Sequence, residues 1–446
     1  MLRTKKYLLS YFRFIFASLL FLMIVTSCNE PVSLEELDVS TDKSLKDEAL
    51  SQLSVNLASS FENSNVKAFI KNKSLELIDG DYNFLVAMNH SETIESSNTG
   101  SRSKNLLFSE VLAGKNSSAS NARVLDDSFI EDLLKEFPLL QVAVPELESL
   151  SVENWDVENE DPLVAYVPET IVDDKIEAYD KEGNVHYLSA SEEPDRLVII
   201  ISENERIMAL PRATGARLSC GSELTPIYED EAHSYVLRAD YFEAQNECTL
   251  IEIGYPISGG SGGSGSNEEN CDRDNNNDKD NFNKLMFKDM KALKKAEAWL
   301  AGNFEMRLII VLGNKNSESF TTLNKVFVDN RKAYRGCAWF NCWLRWNVVN
   351  EELLTWDKEI FGSHMKYLLY EENPDSDKRE AEVNLTTTFS DGTSVTGKTT
   401  IELNIGSILG NGDYWLGEAI VEYCDNTDGD GYKYETGEMY FYVNQK

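Results

Sequence analysis

Phe304-Glu305-Met306-Arg307-Leu308-Ile309-Ile310-Val311-Leu312 is the stretch on which the fold turns. Phe304, Met306, Leu308, Ile310 and Leu312 step by two, and Glu305 and Arg307 stand between the first three. Side chains on a strand alternate between faces, so this spacing predicts a β-strand with one apolar side. The same theme continues at Val326–Val328, Met365–Tyr370, Glu382–Phe389, Thr399–Ile405, Gly417–Tyr423 and Glu438–Val443. Glycine turns such as Asp391-Gly392 and Gly410-Asn411-Gly412 separate several of them. About eight such strands predict a two-sheet antiparallel sandwich over residues 282–446. Leu285–Leu300 reads either as a strand followed by a short helix or as one helix.

Moving toward the N-terminus, Ser258-Gly259-Gly260-Ser261-Gly262-Gly263-Ser264-Gly265-Ser266 reads as a flexible linker, assigned to residues 258–270. Its letters contain G-x-S-x-G around Ser261. A nucleophile elbow needs a strand before and a helix after, and neither flanks it. Residues 139–257 hold short apolar runs between turn signals: Leu139–Val144, Leu163–Val167, Val185–Leu188, Leu197–Ile201, Arg206–Leu210, Ser234–Leu237 and Thr249–Ile253. Glu182-Gly183-Asn184 and Glu203-Asn204-Glu205 are among the turns, and the segment predicts a β-rich middle domain. Residues 44–138 predict a helical region. Ser44 is a helix cap, Leu50, Leu53, Leu57 and Phe61 share a helical face, and Phe129, Ile130, Leu133, Leu134 and Phe137 form another before Pro138 ends it. The expected fold is therefore multidomain and mainly β, with a small N-terminal α-helical region and a C-terminal antiparallel β-sandwich over residues 271–446.

The first residues carry an address. Arg3, Lys5, Lys6 and Arg13 precede an apolar run from Phe14 to Val25, broken only by Ser18 and ending in Thr26-Ser27-Cys28. This is the order of an export signal, too short for a comfortable membrane span. The pattern resembles bacterial lipoprotein signals, in which small residues precede an acceptor cysteine. The resemblance covers residues 1–28. It implies cleavage after residue 27, lipidation of Cys28, and a tether over residues 28–43. Asn29, rather than Asp, points to the outer membrane, with either a periplasmic or a surface-facing body. The whole chain resembles multidomain bacterial surface lipoproteins.

The net charge is −34. Removing residues 1–27 takes away four basic residues and no acid, which leaves the mature chain more acidic still. Such a balance repels the phosphates of nucleic acid and argues against it as a partner. An apolar content of 42% is enough to build cores, so the chain is not disordered throughout. Besides Cys28 there are Cys220, Cys248, Cys271, Cys337, Cys342 and Cys424. An even count in an exported chain predicts disulfides. Proximity favours Cys220–Cys248 and Cys337–Cys342, which leaves Cys271–Cys424. No Cys/His spacing suits zinc.

Two acidic loops are candidate calcium sites. Asp272, Asp274, Asn276, Asp278 and Asp280 offer oxygens at every second residue. Asn426, Asp428 and Asp430, followed by Gly431, begin like a calcium loop. Neither completes an EF-hand: Asn277 and Asn283 replace its Gly and Glu in the first loop, and Gly437 replaces the Glu in the second. The alternative readings are a solvated linker extension and a tight hairpin. Glu371, Glu372, Asp375, Asp377 and Asp391 add further acids. A sandwich with acidic loops at one end is similar to C2-type domains at the level of strand pattern over residues 282–446. The C2 aspartate spacing is not present, and membrane docking is not carried over.

Trp339, Trp343 and Trp346, preceded by Arg331, Lys332 and Arg335, form a basic aromatic segment. It reads first as core packing and second as an exposed surface for a sugar or a protein partner. His90, His186, His233 and His364 are scattered, and no catalytic motif is present. The expected function is a lipid-anchored cell-envelope protein of non-enzymatic binding or structural role, with a calcium-stabilised C-terminal domain. Its partners would be the membrane, through Cys28, and a protein or glycan. Two alternatives stand beside it: a carboxylate-dependent hydrolase of polysaccharide or peptide, and a glycan-binding module using the three tryptophans.

Overall fold

The computed structural model describes residues 44–445 except 96–104, 116–121, 127, 148–149, 213–217, 219, 254–277, 297–298, 300–303, 316, 330–332, 339–340, 372–376, 406–414 and 426–430. The signal, the tether and the Gly/Ser linker lie outside the described residues.

The protein is mainly β, with a small helical region near its N-terminus and sandwich-like sheets at its C-terminus. The N-terminal unit is a sheet with helices laid on one face. α1 (Leu45–Ser59) starts as the sequence predicts, with the Asp47 N–H donating to Ser44 Oγ at 3.1 Å. α2 (Ser64–Ser74) and α3 (Phe129–Glu136) follow. The strands are β1 (Asn83–Leu85), β2 (Leu140–Ala143), β3 (Leu163–Tyr166), β4 (Lys175–Tyr179), β5 (Val185–Ser189) and β6 (Val198–Glu203), in the order β1-β2-β6-β3-β4-β5. β3 and β6 run parallel; the other pairs are antiparallel.

A run such as Val198-Ile199-Ile200-Ile201, without polar alternation, belongs to a strand covered on both faces. Ile199 and Ile201 pack with Leu50, Leu53 and Leu57 of α1. Val198 and Ile200 face the opposite side, where Trp299 is buried and donates from Nε1 to the Ser189 carbonyl at 2.8 Å. The helical region 44–138 and the following strands thus share one core, and residue 138 does not separate two. The physical reason is that β1 pairs with β2 across that point, so neither segment buries its apolar face alone. Buried polar groups within α1 are paired: Asn56 Nδ2 donates to the carbonyls of Leu112 (2.9 Å) and Arg123 (3.1 Å).

β7 (Ile207–Pro211), β8 (Tyr228–Glu229) and β9 (His233–Leu237) form a small sheet in the order β8-β9-β7. Next comes α4 (Arg238–Glu252). It overturns the strand expected at Thr249–Ile253. Phe242, Asn246, Leu250 and Ile253 recur at three- and four-residue steps, and that stripe is the one that packs. Asn246 exchanges hydrogen bonds with the backbone of Asn324, at 2.6 and 2.8 Å. A helix that precedes the linker in sequence is therefore docked on the C-terminal sandwich.

The sandwich has two four-stranded antiparallel sheets. One comprises β10 (Asn281–Phe287), β15 (Asn347–Glu352), β20 (Tyr432–Glu435) and β21 (Met439–Asn444), ordered β15-β10-β21-β20. The other comprises β11 (Phe304–Leu312), β12 (Thr321–Asp329), β16 (His364–Glu371) and β19 (Trp415–Glu422), ordered β12-β11-β16-β19. Between Leu285 and Leu300 the strand-then-helix reading holds, with a short helix at Met290–Ala296. Met306, Leu308, Ile310 and Leu312 point into the sandwich, as the alternation predicts. Ile309 and Val311 are buried on the other face, beneath Val383, Leu385 and Ile401 of a long hairpin, β17 (Asp377–Thr388) and β18 (Ser394–Ile405). A second hairpin pairs β13 (Arg335–Ala338) with β14 (Asn341–Leu344).

Candidate functional site

The Asp79-Gly80-Asp81 turn, the Glu203-Asn204-Glu205 turn and the start of β11 converge on a buried set of charges. Asn204 organises it. Its Oδ1 accepts from the N–H groups of Arg206 (2.9 Å) and Ile207 (2.8 Å), which fixes the turn between β6 and β7. Its Nδ2 donates to Asp79 Oδ2 (2.6 Å) and Gln141 Oε1 (2.9 Å). Asp79 also accepts from Asn83 Nδ2 at 3.0 and 3.1 Å.

Arg206 is held by this frame and is only 5% exposed. Its Nε donates to Glu305 Oε1 at 2.5 Å, its Nη1 donates to the Asp79 carbonyl at 3.2 Å, and its Nη2 lies 3.0 Å from Asp81 Oδ2. That last contact is an ion pair without a well-aligned hydrogen bond. Burial alone would favour the neutral guanidine, but Glu305, Asp81 and Asp79 together hold Arg206 firmly charged. Glu205 and Glu305 are both buried and share a hydrogen bond. Burial pushes Glu205 well above the usual glutamate range, and the neighbouring Glu305 and Glu371 push it further. Burial also raises Glu305, though Arg206 opposes it. Of the two, Glu205 is the one whose protonated form burial and its neighbours favour most, because Arg206 stands against Glu305 and stabilises that carboxylate.

A cavity of about 60 Å³ adjoins the cluster, lined by Glu205, Arg206, Arg238, Glu305, Leu237 and Val326, among others. That volume is large enough to admit water. Ligand pockets are typically larger, about 300–1,000 Å³. The arrangement can hold a proton and join the two parts of the chain by charge.

The sequence marks Asn204 and Glu205 as a turn, Glu305 as a strand residue and Glu371 as a loop acid, and does not join them into one site. Glu203-Asn204-Glu205 looks like a solvated turn, yet Asn204 is 1% exposed. The available signal was Glu305 near the start of a strand whose one other charged residue is Arg307, an acid whose partner had to come from elsewhere in the chain.

The expected sites are distributed differently. Cys28, Cys271, Asp272, Asp274, Asn276, Trp339, Asn426, Asp428 and Asp430 lie outside the described residues. Asp278 is exposed. Asp280 is fully buried, its backbone paired with Leu353 and Leu354 at 2.8 Å each. Among the described residues, no group of three or more His, Cys, Asp or Glu side chains could hold a metal ion. Glu371 belongs to the buried cluster. Asp391, at the tip of the β17–β18 hairpin, is held down to about 2 by its bond to Lys315. Cys220 and Cys248 are bonded, with Cα atoms 5.3 Å apart. Cys342 and Cys424 each take part in a further disulfide, and the strand register sets Cys337 directly opposite Cys342.

Core packing does not describe the two tryptophans that can be placed in that segment. Trp343 is 52% exposed, its ring lying over Gly336, where a Cβ would come within 2.7 Å of it. Trp346 is half-buried and meets Tyr442 edge-on, with ring centroids 5.0 Å apart. The hairpin that carries Trp343 is short, and Arg335 is drawn away to Glu193 at 2.8 Å.

Residues 83–328 match the model of a family described as a protein of unknown function, DUF3103, and the chain belongs to that family. The matched region runs from β1 into β12 and so contains Arg206, Glu205 and Glu305. No curated protein and no solved structure matches the chain.

Proposed function

We propose that this DUF3103 family member is an exported cell-envelope protein, held on the outer membrane by lipid on Cys28, with a non-enzymatic binding or structural role. The observation that carries the export half is the set of bonded cysteines, Cys220–Cys248 together with Cys342 and Cys424. Disulfides persist in oxidising compartments and are rare in the cytosol. The non-enzymatic half is supported by how the buried acids are used. Glu305 and Asp81 face Arg206, Glu205 is buried against Glu305, and the adjoining cavity is about 60 Å³. The hydrolase alternative would need one of these carboxyls to face a substrate.

The test is incorporation of labelled palmitate into the full-length chain in a bacterial host. Label and membrane retention are expected with Cys28 and lost with Cys28→Ser. A Cys28→Ser chain that stays on the membrane would show that something other than this lipid holds it.

The same reading assigns calcium to the two acidic loops, Asp272–Asp280 and Asn426–Asp430, as an ion that stiffens the sandwich. A cation that binds only the folded state raises the melting temperature by mass action. The full chain is expected to melt higher in millimolar calcium than in chelator, with the difference removed by Asp428→Ala combined with Asp274→Ala. Identical melting in both solutions would reduce these loops to solvated turns.

A further inference from the structure

The outward face of the β15-β10-β21-β20 sheet has the opposite character to the rest of this acidic chain. Its inner residues, Phe282, Leu285, Phe287, Met439, Phe441 and Val443, form the sandwich core. The alternation that buries them turns Lys284, Tyr440, Tyr442 and Lys433 outward. The registers Lys284↔Tyr442 and Lys433↔Tyr442 set a lysine on each side of one tyrosine, across three strands. Exposed Val348, opposite Lys284, continues that row onto β15. Trp346 stands against Tyr442.

The ammonium groups lie over the rings. Lys433 is 3.7 Å from the Tyr440 centroid and 6.0 Å from that of Trp346, and Lys284 is 4.6 Å from Tyr442 and 5.6 Å from Trp346. Of the acids on this face, Glu435, opposite Tyr440, is matched by Lys288 at 2.5 Å, and Glu352 on β15 by Lys279 at 3.3 Å.

We infer that this face binds an acidic polysaccharide, a chain of pyranose rings carrying carboxylates. This rests on the binding role proposed above but not on the lipid anchor. Two half-buried tyrosines on paired strands, with half-buried Trp346 just ahead of β15, offer apolar surface at little ordering cost, which suits the C–H faces of sugar rings. Lysines beside the rings supply the charge for the carboxylates. In a chain of net charge −34, a local positive face is where an anionic ligand is steered. A neutral sugar would use the rings and not the lysines, and an acidic peptide the lysines and not the ring faces.

The experiment is calorimetric titration of the detergent-purified full-length protein with polygalacturonate, dextran and polyglutamate, at low and at physiological salt. Polygalacturonate is expected to bind, more weakly at higher salt, and at least tenfold more tightly than either of the others. Lys433→Gln, at an exposed position, is expected to weaken it at least tenfold with an unchanged melting temperature, and Trp346→Ala to do the same. Equal binding of polyglutamate would overturn the proposal in favour of an acidic protein partner, and equal binding of dextran would remove the lysines from recognition. No binding of polygalacturonate, or binding unaffected by Lys433→Gln, would also overturn it. Palmitate labelling at Cys28 is independent of all these outcomes, so a failure here is distinguishable from a failure of the anchoring proposal.

Discussion

Arg206→Ala is expected to cost about 3–5 kcal/mol of unfolding free energy, because it leaves buried carboxylates without their counter-ion. Glu305 is 5% exposed, and Asp81 and Asp79 lie on the same guanidinium. Arg206 belongs to the N-terminal unit and Glu305 to the sandwich, so the loss falls on their junction. Urea unfolding, followed separately by tryptophan fluorescence and far-ultraviolet dichroism, is expected to show two transitions in the variant where the parent shows one. A single transition at the parental midpoint would mean that the cluster does not join the two parts.

Glu205→Gln should behave oppositely. Glutamine has the shape of a protonated glutamate, the form that burial favours at Glu205, so the substitution is expected to cost far less than Arg206→Ala. The pH dependence distinguishes the two forms. An unfolded glutamate releases its proton near pH ~4.3. In the folded chain Glu205 keeps its proton well above that, because of burial and then of Glu305. The folded state therefore binds more protons than the unfolded one, and this contribution to stability is lost as pH rises from there through Glu205's raised value. Glu205→Gln should flatten that decline. An unchanged slope would place the proton elsewhere.

The second large effect is Phe441→Ala, expected to cost about 3–5 kcal/mol by opening a cavity in the sandwich. Phe441 is fully buried and stacks with Phe282 (5.2 Å), Tyr434 (5.3 Å) and Tyr367 (6.1 Å). Its neighbour Tyr442 is on the outer face, where Tyr442→Ala is expected to cost about 1 kcal/mol or less from the lost ring contacts. Chemical denaturation of both variants measures the contrast. Comparable losses would mean that the outer face is packed against something the registers do not reveal.

That contrast follows from the alternation in β21, which is a local property and was legible in the residues. So were the Ser44 cap, the stripe of α1, the apolar side of β11 and the spacing of Cys220 and Cys248. Each depends on neighbours a few residues apart, or on a small loop to close. α4 was misread because β-branched residues at its end suggest a strand; the three- and four-residue stripe from Phe242 to Ile253 prevailed once it had the sandwich to pack on.

The buried cluster was not legible. Asp79, Asn204, Arg206 and Glu305 are polar residues in turns or at a strand end, and each alone reads as solvated. Burying any one of them is unfavourable; burying them together is not, because Asn204 meets Asp79 across 125 residues of chain and Arg206 meets Glu305 across 99. The outer aromatic face was half visible: Trp346 was noticed, but Tyr442, Lys284 and Lys433 join it only through strand pairing. By itself, the sequence determined the mainly β class, the helical start and the faces of individual strands, because periodicity and capping are short-range. Only the tertiary structure decided which charges meet and which rings line up, because those depend on which distant strands pair.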